Sequence, residues 1–539
     1  MGNGPIEVRR GVKQGDPLSP ILFNMVLEMA LSGISPELGL RVGRFGMFYL
    51  AFADDLVILS ESVPGLETLL QQVSAGCLGV GLEVNPSKCR TLSIKVDGRR
   101  KCSYVDDTQS FRIGDIPLGS MSVTDTYTYL GIGIGYQGRI VSKDLMAKLT
   151  EQLLEIKRAP LKPQQRLILL KTHLVPQFIH ELTLCPVKSE TLKKMDLKIR
   201  AEVRDWLKLP ADTVLGAFYG TVPAGGLGLM ELKSRVLLMK IARTERMRDS
   251  SDPVISYLSN TNNLRKRVDN WRKILRKAGI QAATVESFKK EVDHKYWESH
   301  DGKGLRNPGN LKGGLDWMRG DTKMTGNGFI SALNVRLATL PAPTRLSRGG
   351  RDIPGKICDK CLTGPASLSH ILQSCAMTAG LRTKRHDEVV ESVVAKLKSK
   401  DTIKKTLVET RIEAGGGTKK PDIMVLTSEE VVVVIDVQVV SDAGVATSIE
   451  DMAQFKVNHY TGPELFKGYR TALGAKADAK VEVHAFTVSW RGMVAKHTQN
   501  LARRLGISSC LRYVVPDILQ AGHRMFTTWK NRSGTTRSQ

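Results

Sequence analysis

The run VVVVIDVQVV at positions 431–440 constrains the fold of this chain more than any other segment. Its β-branched residues favour a strand, and its continuous apolar character predicts a central strand that is covered on both faces. Asp436 interrupts this run, and a buried charge costs several kcal/mol unless it is paired or bound to a metal. The segment therefore predicts a sheet core in which Asp436 has a chemical task.

A second acid, Asp422, lies upstream in KKPDIMVLTSEE, and the two apolar segments predict a hairpin that turns near Glu429. A turn centred there places Asp422 directly opposite Asp436. Two facing carboxylates make a divalent-metal site, which can activate water for phosphodiester hydrolysis. The simpler interpretation is one aspartate at a strand end and one paired with a buried Arg or Lys, and the residues alone leave both open.

Another acidic pair, Asp54 and Asp55, lies between the apolar runs of LAFADDLVIL. The pattern predicts a β-hairpin with both acids at its turn, although Asp-Asp is also a common turn dipeptide without chemistry. Upstream, GVKQGDPLSPILF predicts a helix with Asp16 as its N-cap and Pro17 at the first helical position. Downstream, GLEVNPSKCR places Lys88 after a turn, and YLGIGIG follows.

The spacing Cys358-x2-Cys361-x8-His370-x4-Cys375 is typical of one tetrahedral zinc site. Four protein ligands leave no open position, so a structural role is expected rather than catalysis. The alternative is a set of buried free cysteines that behave as small hydrophobes. His386 follows within Arg385-His386-Asp387, either as a helix-surface residue or as a nucleic-acid contact.

The charge balance points to a polyanionic partner, because 79 Lys and Arg face 54 Asp and Glu, a formal net charge of +25. No apolar run is long enough for a membrane span. Residues 261–350 carry 18 cations against 8 acids, with Trp271, Trp297 and Trp317 interspersed. This stretch is expected to grip nucleic acid, and the alternative is a solvated basic surface.

The segment from 146 to 245 is expected to be mostly helical. Within it, Leu167, Leu170, Leu174 and Phe178 repeat at helical spacing, and Pro176 should kink or divide the helix. Further on, Gly415-Gly416-Gly417 predicts a hinge before the β-rich region.

In order and spacing, QGDPLSP, FADD, GLEVNPSKC and YLG resemble the palm of a reverse transcriptase. The resemblance implies nucleotidyl transfer by two divalent metals, with Asp54 and Asp55 among their ligands. It implies that Lys88 is a proton donor or phosphate contact. The remaining motif residues would lie along the nucleic acid: Gln14 and Gly15 against template and incoming nucleotide, and Tyr129, Leu130 and Gly131 as the primer grip.

One departure concerns the further metal-binding aspartate that this family supplies from a strand before QGDPLSP. Only 13 residues precede Gln14, and Glu7 is their sole acid. The expectation is a C-terminal portion of a polymerase that lacks the fingers and the first palm aspartate. Polymerase activity of this chain alone is therefore not expected.

The second carboxylate pair resembles the restriction-like PD-(D/E)xK nucleases. The usual lysine of that motif falls at Gln438, which cannot supply a positive charge. Lys456, in the helix-like EDMAQFKVNHY, can supply it, and Tyr460 lies on the same helix face four residues later. Asp422, Asp436 and Lys456 are accordingly the predicted nuclease residues.

The combination of these parts resembles the polyprotein of a site-specific non-LTR retrotransposon of the R-two class. The implied fold is multidomain α+β, in four parts. These are a partial reverse-transcriptase palm (1–145), a helical thumb (146–245), a basic linker with the CCHC zinc cluster (246–380) and an α/β restriction-like endonuclease domain (381–539).

The resemblance implies target-primed reverse transcription, in which a nicked DNA strand primes copying of the element's RNA. It implies Mg²⁺ at both carboxylate pairs and one structural Zn²⁺. The partners would be element RNA and target DNA in ribosomal RNA genes, in the nucleus and without a membrane. A dimer on the target is compatible with this resemblance. The alternatives are a truncated product that only nicks DNA in a metal-dependent way, and a protein that only binds nucleic acid.

Overall fold

The structure, a computed structural model, describes residues 11, 15–141, 144–306, 314–320, 324–348, 356–414, 417–442 and 448–531. The chain forms two compact units, each built from separated stretches. The first unit comprises Met1–Met146, Phe178–Thr191 and Val236–Gly279, and the second comprises Ala147–Gln177, Leu192–Arg235 and Ile280–Gln539. The boundaries of the four predicted domains stay a prediction.

Short strands dominate the described part up to Ile140. The helices there are α1 (Ser19–Leu31) and α2 (Val63–Gly79). The strands are β1 (Leu40–Val42), β2 (Phe45–Met47), β3 (Tyr49–Phe52), β4 (Asp55–Ile58), β5 (Arg90–Thr91), β6 (Ile94–Asp97), β7 (Cys102–Val105), β8 (Arg112–Ile113), β9 (Ile116–Pro117), β10 (Gly119–Ser120), β11 (Tyr127–Tyr129), β12 (Ile132–Gly135) and β13 (Gly138–Ile140).

Helices follow in the next part of the chain, which confirms the predicted helical character of 146–245. They are α3 (Leu145–Arg158), α4 (Pro163–Leu169), α5 (Val175–Leu184), α6 (Ser189–Leu207), α7 (Leu215–Tyr219), α8 (Leu232–Arg248), α9 (Pro253–Ser259), α10 (Asn262–Lys277) and α11 (Val285–Glu298).

The C-terminal part mixes helices with one larger sheet. The helices are α12 (Gly326–Arg336), α13 (Pro343–Leu346), α14 (Leu368–Gln373), α15 (Ala379–Lys398), α16 (Ile449–His459), α17 (Pro463–Leu473), α18 (Lys496–Arg504) and α19 (Leu511–Asn531). The strands are β14 (Ile403–Val408), β15 (Ile412–Ala414), β16 (Gly417–Lys419), β17 (Ile423–Thr427), β18 (Val432–Val440) and β19 (Val481–Ser489). Among the described residues, no helix has the length and apolar character that a membrane crossing requires.

The start of α1 differs from its prediction. The helix begins at Ser19 with Leu18 at the N-cap position, and no side chain caps it. Asp16 instead accepts a hydrogen bond from the Leu18 backbone N–H at 2.9 Å, which closes a turn just before the helix. Asp16 is therefore a turn residue rather than the predicted N-cap, because short acidic side chains readily bond to the backbone two residues on. Pro17 correspondingly precedes the helix.

Pro176 divides the predicted long helix. A π-helical turn at Leu170–Leu174 separates α4 from α5, and the Val175 N–H bonds back five residues to the carbonyl of Leu170. Pro176 has no N–H for the ordinary helical bond, so the chain absorbs the defect in the preceding turn. Leu167, Leu170, Leu174 and Phe178 are all buried, as their spacing predicted.

The larger sheet has the strand order β14-β17-β18-β19, with β17 and β18 antiparallel and β18 and β19 parallel. β18 is therefore a central strand, as the valine-rich run predicted. Val432 and Val434 pack on Leu465 and Tyr469 of α17, and this apolar layer forms the core on one face of the sheet.

The predicted hinge at the triple glycine is wrong at Gly417. This residue begins β16 and pairs with Ala414 of β15 in an antiparallel ladder. Gly415 and Gly416 lie outside the described residues.

Close packing of α1 on α2 depends on Gly76, where an added Cβ would lie 2.0 Å from the Ala30 carbonyl oxygen. We expect Gly76→Ala to destabilise the protein by roughly 1–3 kcal/mol, because the helices must separate to admit the methyl group. Gly79→Ala is the matched control, since no atom lies within 4 Å of its added Cβ. Urea denaturation of both variants measures the difference, and equal midpoints would contradict this account of the packing.

Candidate functional site

The hairpin of β17 and β18 brings the two distant aspartates together. Ile423 pairs with Ile435, so continuing the ladder by one residue places Asp422 directly opposite Asp436. Opposed residues in an antiparallel pair have Cβ atoms about 4.5–5.5 Å apart, which is within reach of one metal ion. The predicted hairpin and its register are confirmed.

Asp436 is buried, with 3% of its surface exposed. Its Oδ2 lies 2.9 Å from the Nζ of Lys456, which α16 carries to the sheet. Burial raises the pKa of Asp436, the negative charge of Asp422 raises it further, and Lys456 and the Tyr460 hydroxyl counter these effects. The predicted group of Asp422, Asp436 and Lys456 is thus assembled in space, with Tyr460 as an additional member.

Asp422 is held by groups from two other elements. Its Oδ2 accepts a hydrogen bond from the Val437 backbone N–H at 2.7 Å and lies 3.3 Å from Nε2 of His386 on α15. This hydrogen bond to Asp422 raises the pKa of His386 from 6.5 to about 9. His386 therefore belongs to the carboxylate site, a role that its sequence neighbourhood left undecided.

Two residues near these motifs have structural tasks. Gln438, at the position where the nuclease motif usually has lysine, donates from Nε2 to the Met452 carbonyl and to the Thr487 hydroxyl. It thus joins α16 and β19 to the central strand. Arg385, next to His386, is buried and donates to Gln373 at 3.1 Å, so it does not face solvent.

The other acidic pair lies on an exposed hairpin, as predicted. Phe52 pairs with Asp55 across the turn formed by Ala53 and Asp54, and both aspartates are exposed. Ala53 has φ 50, a left-handed conformation that a non-glycine residue adopts at some cost in energy. Such strain is typical of functional turns, where it holds the neighbouring side chains in one direction.

The YLG motif forms a second tight turn, between β11 and β12, with φ 49 at Leu130 and 74 at Gly131. Burial raises the pKa of Tyr129, and the negative charge of Asp55 adds to this effect. The His180 Nε2 is hydrogen-bonded to the Leu130 carbonyl at 3.0 Å, which ties this turn to α5. The effect of the Asp55 charge indicates that Tyr129 lies near this acid, and the primer-grip role stays a prediction.

The remaining predicted polymerase residues are less closely gathered. Lys88 is exposed at the end of a short 3₁₀ turn and lines a cavity of about 400 Å³. Among the described residues it forms no ion pair with Asp54 or Asp55. Gly15 is exposed, with φ 90, and Gln14 lies outside the described residues.

The four predicted zinc ligands converge, with one ligand atom from each lying within 4.8 Å of all the others. The Sγ atoms of Cys358 and Cys375 are 3.7 Å apart, and Cys361 Sγ is 3.1 Å from His370 Nε2. Two thiolates on one tetrahedral zinc, at about 2.3 Å each, lie about 3.8 Å apart. The donor set and its spacing therefore fit a zinc ion.

Local structure explains why this cluster forms. The Cys358 N–H bonds to the Gly364 carbonyl and the Leu362 N–H bonds to the Cys358 carbonyl, which closes a knuckle around the first two cysteines. Ser367 caps α14, which carries His370, and the Cys375 N–H bonds to the His370 carbonyl just after that helix. Hydrogen bonding to Thr363 lowers the pKa of Cys361 to about 6, and burial raises that of Cys375 to about 11.

The basic stretch 261–350 has two kinds of cation. Those of the first kind are exposed and lie on α10: Arg265, Lys266, Arg267, Arg272, Lys273, Arg276 and Lys277. Trp271 packs near Lys240, whose Nζ is 5.9 Å from the ring centre. Trp317 is fully buried, so the prediction that its ring grips nucleic acid is wrong. Trp297 is half-buried and donates to the Ala224 carbonyl, and its contact with nucleic acid stays a prediction.

The later arginines of this stretch are internal. Arg336 is fully buried and donates to the Arg491 carbonyl, while Arg491 donates back to the Arg336 carbonyl at 2.8 Å. Arg345 and Arg348 both pair with the buried Asp301. These cations join segments of the second unit and do not form a solvated basic surface.

Comparison with known protein families agrees with the palm motifs. The profile of the reverse transcriptase (RNA-dependent DNA polymerase) family matches residues 2–134, which include both tight turns. The chain therefore carries a reverse-transcriptase domain in this part.

Comparison with individual proteins extends over most of the chain. It is 34% identical over 496 residues to the retrovirus-related Pol polyprotein from type-2 retrotransposable element R2DM of Drosophila melanogaster, covering 90% of this chain and 45% of that protein. It is 31% identical over 534 residues to the Pol polyprotein from type-1 retrotransposable element R2 of Nasonia vitripennis, covering 98% of this chain and 50% of that protein.

A third relative, an R2 Pol polyprotein of Popillia japonica, is 31% identical over 88% of this chain and 64% of its own length. This chain is thus an R2-class non-LTR retrotransposon protein, as its motifs predicted. It spans about half the length of the first two relatives.

We expect the purified protein to contain one zinc ion per chain, held by the Cys358, Cys361, His370 and Cys375 cluster. Cys358→Ser and Cys361→Ser should each lower the bound zinc several-fold, because each removes a thiolate from a four-ligand set. Cys102→Ser, an exposed cysteine outside the cluster, is the matched control. Metal analysis by mass spectrometry measures the zinc, and a wild-type protein without zinc would refute the site.

The pKa of His386 gives a second test. Because the folded-state pKa of about 9 exceeds the ordinary 6.5, the His386–Asp422 contact stabilises the fold fully below pH 6.5. This stabilisation is lost as the pH rises through 9. Asp422→Asn should return the His386 pKa towards its ordinary value, and Asp387→Asn should lower it less. Titration of histidine-labelled protein by NMR measures this, and a wild-type value near 6.5 would contradict the contact.

Proposed function

We propose that this chain provides the polymerase palm and the DNA-nicking nuclease of an R2-class element in target-primed reverse transcription. The observation that carries the nuclease part is the meeting of Asp422, Asp436 and Lys456 at the centre of the larger sheet. Opposed carboxylates beside one lysine suit hydrolysis of a phosphodiester, and the similarity to an R2 Pol polyprotein extends over this part of the chain.

In the nuclease site, Asp422 and Asp436 would hold Mg²⁺, which supplies charge stabilisation and lowers the pKa of bound water. Lys456, already 2.9 Å from Asp436, would place its ammonium beside the developing negative charge of the cleaved phosphate. His386 and the Val437 N–H would keep Asp422 oriented. Tyr460 would stand beside Asp436, whose pKa it lowers, while its hydroxyl donates to the Lys420 carbonyl at 3.2 Å.

In the palm, Asp54 and Asp55 would hold Mg²⁺ for nucleotidyl transfer. Their exposed hairpin, set by the strained Ala53, presents both acids to solvent, where template, primer and nucleotide can approach. The YLG turn would support the primer end beside them, and the link between Tyr129 and Asp55 supports this placement. Lys88 would contact a phosphate group or donate a proton.

The partners proposed are the element's RNA and a DNA target in the ribosomal RNA genes, which places the protein in the nucleus. The net charge of +25 and the exposed cations of α10 support binding to nucleic acid. Two copies could act together, one on each DNA strand. The zinc cluster is assigned a structural task, since all its positions are filled by protein.

The test is Mg²⁺-dependent nicking of supercoiled DNA that carries the ribosomal target. Asp422→Ala and Asp436→Ala should each reduce nicking to background, because each removes a ligand of the metal. Lys456→Ala should lower the rate by roughly 10²–10³-fold, the range for removal of one charge-stabilising donor.

Asp55→Asn is the control, since it lies in the other carboxylate pair and should nick at the wild-type rate. Gel separation of nicked from supercoiled DNA measures the outcome. Unchanged nicking in Asp422→Ala or Asp436→Ala would overturn the nuclease assignment.

A further inference from the structure

A two-stranded β-ribbon in the first unit carries an unusual concentration of positive charge at its tip. Strands β6 and β7 pair through four residues each and are joined by Gly98, Arg99, Arg100 and Lys101. Among the described residues, neither strand pairs with a third strand, so the ribbon forms a separate two-stranded sheet.

The tip of this ribbon has a fixed backbone. Asp97 Oδ1 accepts hydrogen bonds from the backbone N–H groups of Arg99 at 2.9 Å and Arg100 at 3.0 Å. Lys101 adopts φ 50, which completes the tight reversal. The Arg100 side chain is 84% exposed. Three consecutive cations are thus presented from a preorganised turn, and less entropy is lost when they engage a partner.

At the root of the ribbon, where β7 ends, the acid Asp106 is already paired. Asp106 is buried and pairs with Lys95 at 2.5 Å, while Thr108 and Gln109 also hydrogen-bond to its carboxylate. Ser103 is hydrogen-bonded to Tyr136, which anchors β7. The acid near the root is therefore neutralised. At the tip, Asp97 Oδ2 lies 3.7 Å from Arg100 Nε, so one acid faces the three cations and the tip keeps a positive excess.

We propose that this ribbon is an arm that grips the phosphate backbone of a nucleic-acid duplex through Arg99, Arg100 and Lys101. The minor groove of an A-like duplex is wide and shallow, so a two-stranded ribbon can lie against it and reach the phosphates at its edge. The cations of this short turn can contact successive phosphates along one strand of the nucleic acid. The proposal rests on the proposed function only in its choice of an RNA–DNA hybrid as the duplex.

One face of the ribbon is apolar and open, which adds contact area for sugars. Val96 is 77% exposed and Ile94 is 49% exposed, and alternation along β6 places both on the same face. Tyr104 and Lys95 pair with each other across the strands on the opposite face. An acidic protein surface is the other partner that would match the charge, and the experiment separates the two.

The experiment measures binding of the full chain to a fluorescent 20-base-pair RNA–DNA hybrid by anisotropy. The buffer contains no Mg²⁺, so that no cleavage occurs, and no chelator, so that the zinc cluster stays loaded. The variant is Arg99→Gln/Arg100→Gln/Lys101→Gln. We expect its dissociation constant to rise about tenfold or more, and the slope of log affinity against log salt to fall by about two to three units, near one per lost phosphate contact.

Two matched controls separate local contacts from general charge. Lys398→Gln/Lys467→Gln/Lys476→Gln removes the same charge from three exposed, scattered sites and should change the slope far less. Arg99→Lys/Arg100→Lys/Lys101→Arg keeps the charge and should bind within about threefold of wild type, since a phosphate is also bound by lysine as a point charge.

Equal affinity and slope in the ribbon variant and the scattered control would overturn the proposal, as would a wild-type chain that does not bind the hybrid. In the first case, an acidic protein would remain as the partner for this surface. The nicking assay is independent, since the ribbon variant keeps Asp422 and Asp436. Failure of the arm and failure of the nuclease assignment are therefore distinguishable.

Discussion

Burial of the Asp436 carboxylate in the centre of an apolar strand is the constraint on which the second unit's chemistry depends. Isolated, this charge would destabilise the sheet by several kcal/mol. Lys456 from α16 and the Tyr460 hydroxyl offset that cost, while Asp422 opposite adds to it. The valine-rich ladder determines which face Asp436 occupies, because a slip of one residue would turn every side chain over. Core packing and site geometry are therefore set by the same register.

The zinc cluster and this carboxylate pair are joined through α15. The helix begins at Ala379, four residues after Cys375, and Arg382 donates to the Cys375 carbonyl at 2.6 Å. Further along the same helix, His386 reaches Asp422. A structural metal at the start of α15 would thus hold the helix that orients one of the two carboxylates. This connection gives the cluster a task in the geometry of the site, although it supplies no open coordination position.

Local motifs were the part of the site that sequence patterns predicted well. The hairpin around Asp54 and Asp55, the hairpin that opposes Asp422 and Asp436, and the cysteine and histidine cluster all formed as expected. Each depends on residues close in sequence, where turn chemistry and strand alternation leave few alternatives. The choice of Lys456 over Gln438 also agrees with the geometry, because the motif needed a positive charge that glutamine lacks.

Side chains whose environment comes from distant segments were predicted less well. Trp317 and Arg336 lie in the basic stretch that was expected to grip nucleic acid, yet both are buried. Arg336 and Arg491 lie 155 residues apart in sequence, and each donates a hydrogen bond to the backbone carbonyl of the other. No local sequence pattern predicts this pairing. Gly417 looked like part of a hinge because glycine signals flexibility, but strand pairing placed it in a ladder.

By itself, the sequence determined the order of the motifs, the strand and turn types and the candidate metal ligands, because these follow from residue chemistry and short-range periodicity. Only the tertiary structure decided that His386 and Tyr460 join the carboxylate pair, and that Arg336 and Arg345 of the basic stretch are internal. The physical reason is that hydrogen bonding and burial depend on which surfaces meet, and those surfaces come from segments far apart in the chain.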